Sequence, residues 1–299
     1  MKKLVAALGA ICAIAAAPAT AQQDFSKVEI KAIKITNNIY MLTGAGGNIG
    51  LSVGEDAAFI VDDQFAPLTP KITAAIAQIT TKPVKFVLNT HWHSDHAGGN
   101  ENLGKAGTLI VAHHNVRKRL NSDQVIDFFN MKSKPEPKDA LPVLTFSADM
   151  ALHLNGEEIR AIHMPNAHTD GDAVVHYMGS DVIHMGDIYF NGFYPFIDAE
   201  SGGSADGVVA ACDRVLLLAT DKTRIIPGHG ALSNVAEMKA YRDMVATVSA
   251  RVKALVAQGK TLEDIKAAKV TADFDEKWGK GFIKPERFAE MLARPLIRK

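Results

Sequence analysis

The chain has 299 residues, with 33 Lys or Arg against 33 Asp or Glu, so its formal net charge is zero with histidine neutral. The absence of any basic face or long run of like charge excludes a nucleic-acid binder and an acidic solvating tail. At 47% hydrophobic residues the chain has material for a core and is not a disordered sequence.

The chain opens with Lys2-Lys3, an apolar run over residues 4–17 and Ala19-Thr20-Ala21. A positive end, a short hydrophobic stretch and a small-x-small site are the pattern of a secretory signal peptide. The run has 14 residues, short of the about 20 that span a bilayer. Cleavage after Ala21 is expected, giving a periplasmic or secreted chain with no membrane attachment. It would carry 31 basic against 33 acidic residues. Loss of Cys12 would leave Cys212 alone, so no intramolecular disulfide can form. Cys212 falls on the apolar stripe Val208, Cys212, Val215, Ala219 and reads as a small core residue.

Short β-rich runs alternate with helices, which is an α/β pattern. Extended segments are expected at 28–35, 39–43, 50–53, 57–61, 84–89 and 108–112, then at 143–146, 151–154, 159–164, 173–177, 182–185 and 224–226. Thr69 is expected to cap a helix with Pro70 in its first turn and the stripe Ile72, Ala75, Ile76, Ile79. A longer helix opens at Asn234, with Glu237 completing a capping box and Gly259 as its stop. Its stripe is Met238, Tyr241, Val245, Val248, Val252 and Leu255. The tail from Thr261 reads as two short helices, the second opening at Pro285. No composition shift marks a boundary, so residues 22–299 read as a single domain with a C-terminal helical extension.

Two loops stand out. Residues 44–50 (Gly-Ala-Gly-Gly-Asn-Ile-Gly) are expected to be a mobile flap beside a cleft. Residues 122–142 carry Pro135, Pro137 and Pro142 together with Phe128, Phe129 and Met131, which suits either a lid or ordinary packing.

Chemistry concentrates in His91-Trp92-His93-Ser94-Asp95-His96, directly after the strand at 84–89. Three histidines and an aspartate in six residues suit a metal site, since neutral imidazoles and carboxylates are zinc ligands. Extended backbone lets His91, His93 and Asp95 converge on one point, and a turn then carries His96 to a neighbouring one. Further candidates stand at later strand ends: His168 in His-Thr-Asp-Gly, Asp187 in Gly-Asp, and His229 in Pro-Gly-His-Gly. Of the remaining histidines, His113 or His114 can border the cleft or simply open a helix. His153, His163, His176 and His184 suit packing, with His184 best placed to support a ligand. Trp92 is expected beneath the ligand loop. Asp170 and Asp172 either orient His168 or form a turn. Residues 188–196 hold five aromatics and suit a substrate wall. Within them Asn191 or Tyr194 can donate a hydrogen bond to a substrate carbonyl.

The ordered series H-x-H-x-D-H, H-T-x-G, G-D, P-G-H-G resembles the metallo-β-lactamase superfamily of dinuclear metallohydrolases, in register from His91 to Gly230. The resemblance implies an αββα four-layer sandwich with the metals at one edge. It implies two zinc ions, one on His91, His93 and His168, the other on Asp95, His96 and His229, with Asp187 bridging them. Asp95 and Asp187 would act in catalysis, and a metal-bridging hydroxide would attack a carbonyl. Asp187 stands where the best-known β-lactamase subclass has cysteine, and His96 has no counterpart there. Both departures resemble glyoxalase II and lactonases, although glyoxalase II's C-terminal basic patch has no match. The expected substrate is a small molecule with a lactam, lactone or thioester bond, with modest β-lactamase activity. The alternatives are a lactonase or glyoxalase II-like thioesterase, an iron-dependent oxidoreductase, and a non-catalytic periplasmic partner of a quinoprotein system.

Overall fold

The computed structural model describes residues 24–297, so the expected signal segment lies outside the described residues. The chain begins with strands β1 (Lys31–Lys34), β2 (Ile39–Thr43), β3 (Ile49–Val53) and β4 (Ala58–Val61). Helix α1 (Thr69–Ala77), β5 (Val84–Asn89), α2 (Ser94–Ala97), α3 (Asn100–Lys105), β6 (Leu109–His113) and α4 (His114–Leu120) follow. A hairpin of β7 (Gln124–Ile126) and β8 (Met131–Ser133) precedes β9 (Leu144–Phe146). The second half runs β10 (Asp149–Leu154), β11 (Glu157–His163), β12 (Ala173–Tyr177), β13 (Val182–His184), α5 (Ala205–Leu218), β14 (Arg224–Ile226) and β15 (Ser233–Asn234). Helices α6 (Val235–Ala257), α7 (Leu262–Ala267), α8 (Asp275–Trp278) and α9 (Pro285–Ile297) complete it.

Among the described residues the strands form a seven-stranded sheet, ordered β1-β2-β3-β4-β5-β6-β9, and a six-stranded sheet, β10 through β15 in sequence order. Side chains alternate across each strand, and the alternation sorts the core into three slabs. Ala58 and Ile60 of β4 join Ile72 and Ile76 of α1 on the outer face of the first sheet. Phe59 and Val61 turn the other way, meeting Val175 and Tyr177 of β12 between the sheets. Val174 of β12 and Ile225 of β14 face outward again, onto Cys212 and Val215 of α5 and Tyr241 and Val245 of α6. Three slabs between four layers are the αββα sandwich that the motifs implied. No helix of the described residues is long and apolar enough to cross a membrane.

Several local expectations change. Leu68, not Thr69, is the N-cap of α1, because a 3₁₀ turn (Ala66–Leu68) runs straight into the helix. The Thr69 hydroxyl instead accepts from Asn102 Nδ2. Asn234 does cap α6, accepting from Glu237 N at 3.0 Å. Glu237 does not reach back; its carboxylate takes the Ser233 hydroxyl at 2.7 Å. The full capping box lies at Thr261 and Asp264, opening α7. The hairpin β7–β8 and helix α8 were not expected, being too short for either periodicity to show.

Candidate metal centre

The seven ligand-type residues all arrive at one rim of the sandwich, from the C-terminal ends of β5, β11, β13 and β14. His91 and His93 follow β5 through a bend, with His93 itself extended, and α2 begins at Ser94. That helical turn corrects the reading from alternation alone: Asp95 does not converge with His91 and His93. It joins His96 and His229, while His91, His93, His168 and Asp187 form the other group, as the family resemblance implied. Within each group the candidate donor atoms lie within 4.8 Å of one another.

Asp187 connects the two groups. Its Oδ2 lies 3.9 Å from His91 Nε2 and 3.7 Å from His168 Nε2. Its Oδ1 lies 3.0 Å from His96 Nε2 and 3.4 Å from His229 Nε2. Asp95 Oδ2 is 3.2 Å from His229 Nε2 and 3.7 Å from His96 Nε2.

The hydrogen bonds behind the rings test whether this set fits a metal. The Phe196 carbonyl can only accept, so His168 Nδ1 donates to it at 2.9 Å and Nε2 keeps its lone pair. His93 Nε2 donates to Asp198 Oδ2 at 2.9 Å, which leaves Nδ1 bare. Those two bare nitrogens face each other 2.9 Å apart, an arrangement that repels unless a cation is shared. Thr90 gives its hydroxyl proton to Asp62 Oδ2, so His91 Nδ1 donates to Thr90, 3.0 Å away. His91 Nε2 is then buried in the site with no hydrogen-bond partner among the described residues. His96 Nδ1 donates to Asp62 Oδ2 at 2.7 Å. Convergent lone pairs with outward N–H groups fixed by carboxylates and carbonyls are what a metal-binding histidine set requires.

Electrostatics agree. Burial pushes His91 well below the usual histidine range and His168 down to about 4, so both are neutral donors at pH 7. Burial also opposes charge on His229, but Asp187 and Asp95 overcome it and raise the ring to about 9. His96 is raised well above its ordinary value by Asp187, Asp95 and Asp62 against the same burial. Two carboxylates in a buried pocket demand positive charge, and a divalent cation supplies it as well as a pair of protons does.

The glycine-rich loop is a tight cover, not a mobile flap. Gly47 N donates to Asp95 O at 3.0 Å, Asn48 N to Gly228 O at 2.7 Å, and Gln64 Nε2 to Gly47 O at 2.6 Å. A Cβ on Gly47 would lie 2.1 Å from His96 Cε1. Glycine is required there for close approach.

Two expected substrate contacts are overturned. Tyr194 is fully buried, and its hydroxyl donates to Asp275 Oδ1 at 2.8 Å. Asn191 Nδ2 donates to the Ala231 carbonyl at 3.0 Å. A reversal at Gly192 (φ +89°) divides the aromatic stretch, sending Tyr194 toward α9 to stack on Phe288 and leaving Phe190 and Phe196 beside the ligands. His184 bonds no ligand; it accepts from Gly186 N and braces the turn before Asp187. Asp172 holds the His168 and Thr169 amides at 2.6 and 2.8 Å, whereas Asp170 pairs with Arg119. His113 stacks on His163 at 3.7 Å, and neither ring lines the cavity. Trp92 lies beneath the ligand loop as expected, its Nε1 donating to Ser201 Oγ at 3.2 Å. Asp62 and Asp198, which orient His96 and His93, were missed. Their only sequence signal is an acid at the end of an apolar run.

Asp95, Asp187 and His229 open onto a cavity of about 610 Å³. Phe65, Trp92 and Phe196 line its inner walls, and the β7–β8 hairpin closes one side.

Side chains so arranged on this sandwich define a metal-dependent hydrolase. The chain belongs to the metallo-β-lactamase superfamily, whose family model matches residues 42–229. It is 30% identical over 107 residues to the hydroxyacylglutathione hydrolase of Erythrobacter litoralis (strain HTCC2594), a stretch covering 34% of this chain and only 36% of that protein. It is 26% identical over 219 residues to the hydroxyacylglutathione hydrolase of Polaromonas sp. (strain JS666 / ATCC BAA-500), covering 73% and 74% of the two chains. Among solved structures, the DIM-1 metallo-β-lactamase superposes with a TM-score of 0.61 at 18% identity, over 74% of this chain and 99% of that one. A metallo-β-lactamase from Pontibacter korlensis gives 0.60 at 16%, over 73% and 99%. These structural likenesses are of fold.

Proposed function

We propose that this protein is a secreted hydrolase that holds two zinc ions and cleaves a carboxyl-derived bond in a small molecule. The observation that carries the reading is Asp187, whose two oxygens face two separate groups of histidines beside an open cavity. His91, His93 and His168 would hold one ion, and Asp95, His96 and His229 the other, with Asp187 between them. Zinc bound there would supply a deprotonated water at neutral pH and polarise the carbonyl. The chain's own residues manage the protons. Asp95, with 27% of its side chain exposed, faces the cavity and is held ionised: burial opposes this, but His96 and His229 prevail. It can take the proton released from water and pass it to the leaving atom. In the balance, water's oxygen bonds to the carbonyl carbon, the bond to nitrogen, oxygen or sulfur breaks, and the departing atom leaves protonated.

The relatives named as hydroxyacylglutathione hydrolases favour a thioester as the second reading. Asp187 in place of cysteine leaves β-lactamase activity modest at most. Elemental analysis of the purified protein should find two equivalents of zinc, and well under one would sink the proposal. Iron in the native protein without turnover of any ester or amide would favour an oxidoreductase instead. A penicillin, a carbapenem, a lactone and a glutathione thioester, assayed on the zinc-loaded protein, separate the substrate classes. Asp95→Ala should lower turnover a hundredfold or more with the circular-dichroism spectrum unchanged. N-terminal sequencing of the exported chain should begin at Gln22.

A further inference from the structure

The cavity carries apolar surface that holding metal does not require. Phe129 is 38% exposed, Met131 51% and Phe282 58%, although each is a large hydrophobic side chain. They come from two distant segments and line the same cavity. Exposed apolar side chains gathered around one cavity mark a binding surface, whereas scattered exposed hydrophobics do not.

The hairpin that presents Phe129 and Met131 is firmly seated. Phe128 is buried, the Arg287 guanidinium of α9 lies 3.9 Å over its ring, and Arg287 Nη2 donates to the Phe128 carbonyl at 2.8 Å. The next ring, Phe129, stands edge-on to Phe128 and faces inward to Phe196 at 4.6 Å. Phe196 in turn sits 5.8 Å from His93 and 5.7 Å from His168. On the opposite side Phe282 lies 6.2 Å from Phe190, which stacks on His229 at 5.1 Å. One aromatic track therefore leads to each group of metal-type ligands. The rim has charges as well: Arg119 is paired with Asp170 at 2.7 Å and Lys134 with Asp123 at 3.2 Å, while Lys132 and Glu136 line the cavity with no ion pair among the described residues.

We propose that the substrate's acyl group is a long apolar chain or an aryl ring, seated between Phe129 and Met131 of the hairpin and Phe282 opposite. The inference rests on the hydrolase reading above and specifies its substrate. The scissile carbonyl lies at Asp95, Asp187 and His229, and the acyl group extends outward along the rings.

The test compares 4-nitrophenyl octanoate with 4-nitrophenyl acetate on the zinc-loaded protein, below micellar concentrations. Each fully buried methylene favours binding about fourfold, so six half-covered ones predict a kcat/KM ratio of about 60. The double variant Phe129→Ser/Met131→Ser should reduce that ratio at least tenfold. A wild-type ratio near one, a ratio unmoved in the variant, or faster turnover of S-lactoylglutathione than of the octanoyl ester would overturn the proposal. Calorimetry with octanoate and acetate separates this failure from failure of the hydrolase reading. If neither ester is cleaved and the penicillin, carbapenem, lactone and glutathione thioester are not turned over either, that reading falls. Tens-fold tighter octanoate binding, weakened in the variant, would still support the apolar site, and equal binding would overturn it.

Discussion

Gly47 shows how little freedom the site leaves its neighbours. With His96 Cε1 2.1 Å from where a Cβ would stand, Gly47→Ala must displace the ring. His96 cannot yield easily, since its Nδ1 is held by the buried Asp62 carboxylate. The expected result is loss of one equivalent of metal with the other retained, read by elemental analysis or native mass spectrometry. Asp198 makes the complementary case on the other group. It touches no substrate and acts by fixing the tautomer and angle of His93. Removing such a partner costs metal sites about 10- to 100-fold in affinity. Asp198→Ala should show this in competition with a chelator, and Asp198→Asn, whose amide oxygen can still accept from His93, should recover part of it.

At the level of elements, the hairpin β7–β8 and helix α9 act as a pair joined at Arg287. Arg287→Ala removes both the guanidinium over Phe128 and the bond to its carbonyl, so the hairpin should loosen without disturbing the ligands. Zinc content should stay constant while KM for an apolar ester rises several-fold, and trypsin should cut sooner at Lys132. This pairing also marks where the sequence stops being readable. His91 to His96 lie within six residues, and the later ligands each sit beside glycine or threonine at a strand end, so local pattern reveals them. Asp62 meets His96 across 34 residues, Asp198 meets His93 across 105, and Arg287 meets Phe128 across 159. No periodicity encodes such distances. The strands of the slabs were legible as apolar, β-branched runs such as residues 57–61, whereas β7 (Gln-Val-Ile) and β8 (Met-Lys-Ser) carry no such run. The loop at 44–50 was misread for another reason: glycine signals either freedom or close contact, and only its neighbours decide.

For the whole molecule, the metal-type residues are a liability to folding when no cation is bound. Their bare nitrogens repel, and His96 and His229 must take up protons to balance the two carboxylates. Chelation at pH 7 should lower Tm by about 10 °C, since a ligand at a thousand times its Kd stabilises by about 4 kcal/mol. His113 makes one contribution to the pH profile of the chelated protein, beside those of His91, His168 and His229. Burial and the stacked His163 ring pull His113 down to about 4, against about 6.5 in the unfolded chain. Between those values the unfolded chain binds the extra proton, so stability falls as pH drops from 6.5 toward 4, and His113 contributes no slope above 6.5. Urea denaturation of His113→Phe across this window should show a shallower slope than wild type.

The two-stranded sheet β7–β8 shares no ladder with either large sheet. It behaves like an interchangeable tool head: the holder contributes the ions and the water, and the inserted piece chooses the cargo. Replacing residues 124–133 with a hairpin of equal length and different side chains would leave every strand of the slabs in register. Selection for a new substrate can therefore explore the six exposed positions Val125, Asp127, Phe129, Asn130, Met131 and Lys132 while Ile126 and Phe128 stay in the core, and a library confined to those six is the economical way to retarget this enzyme.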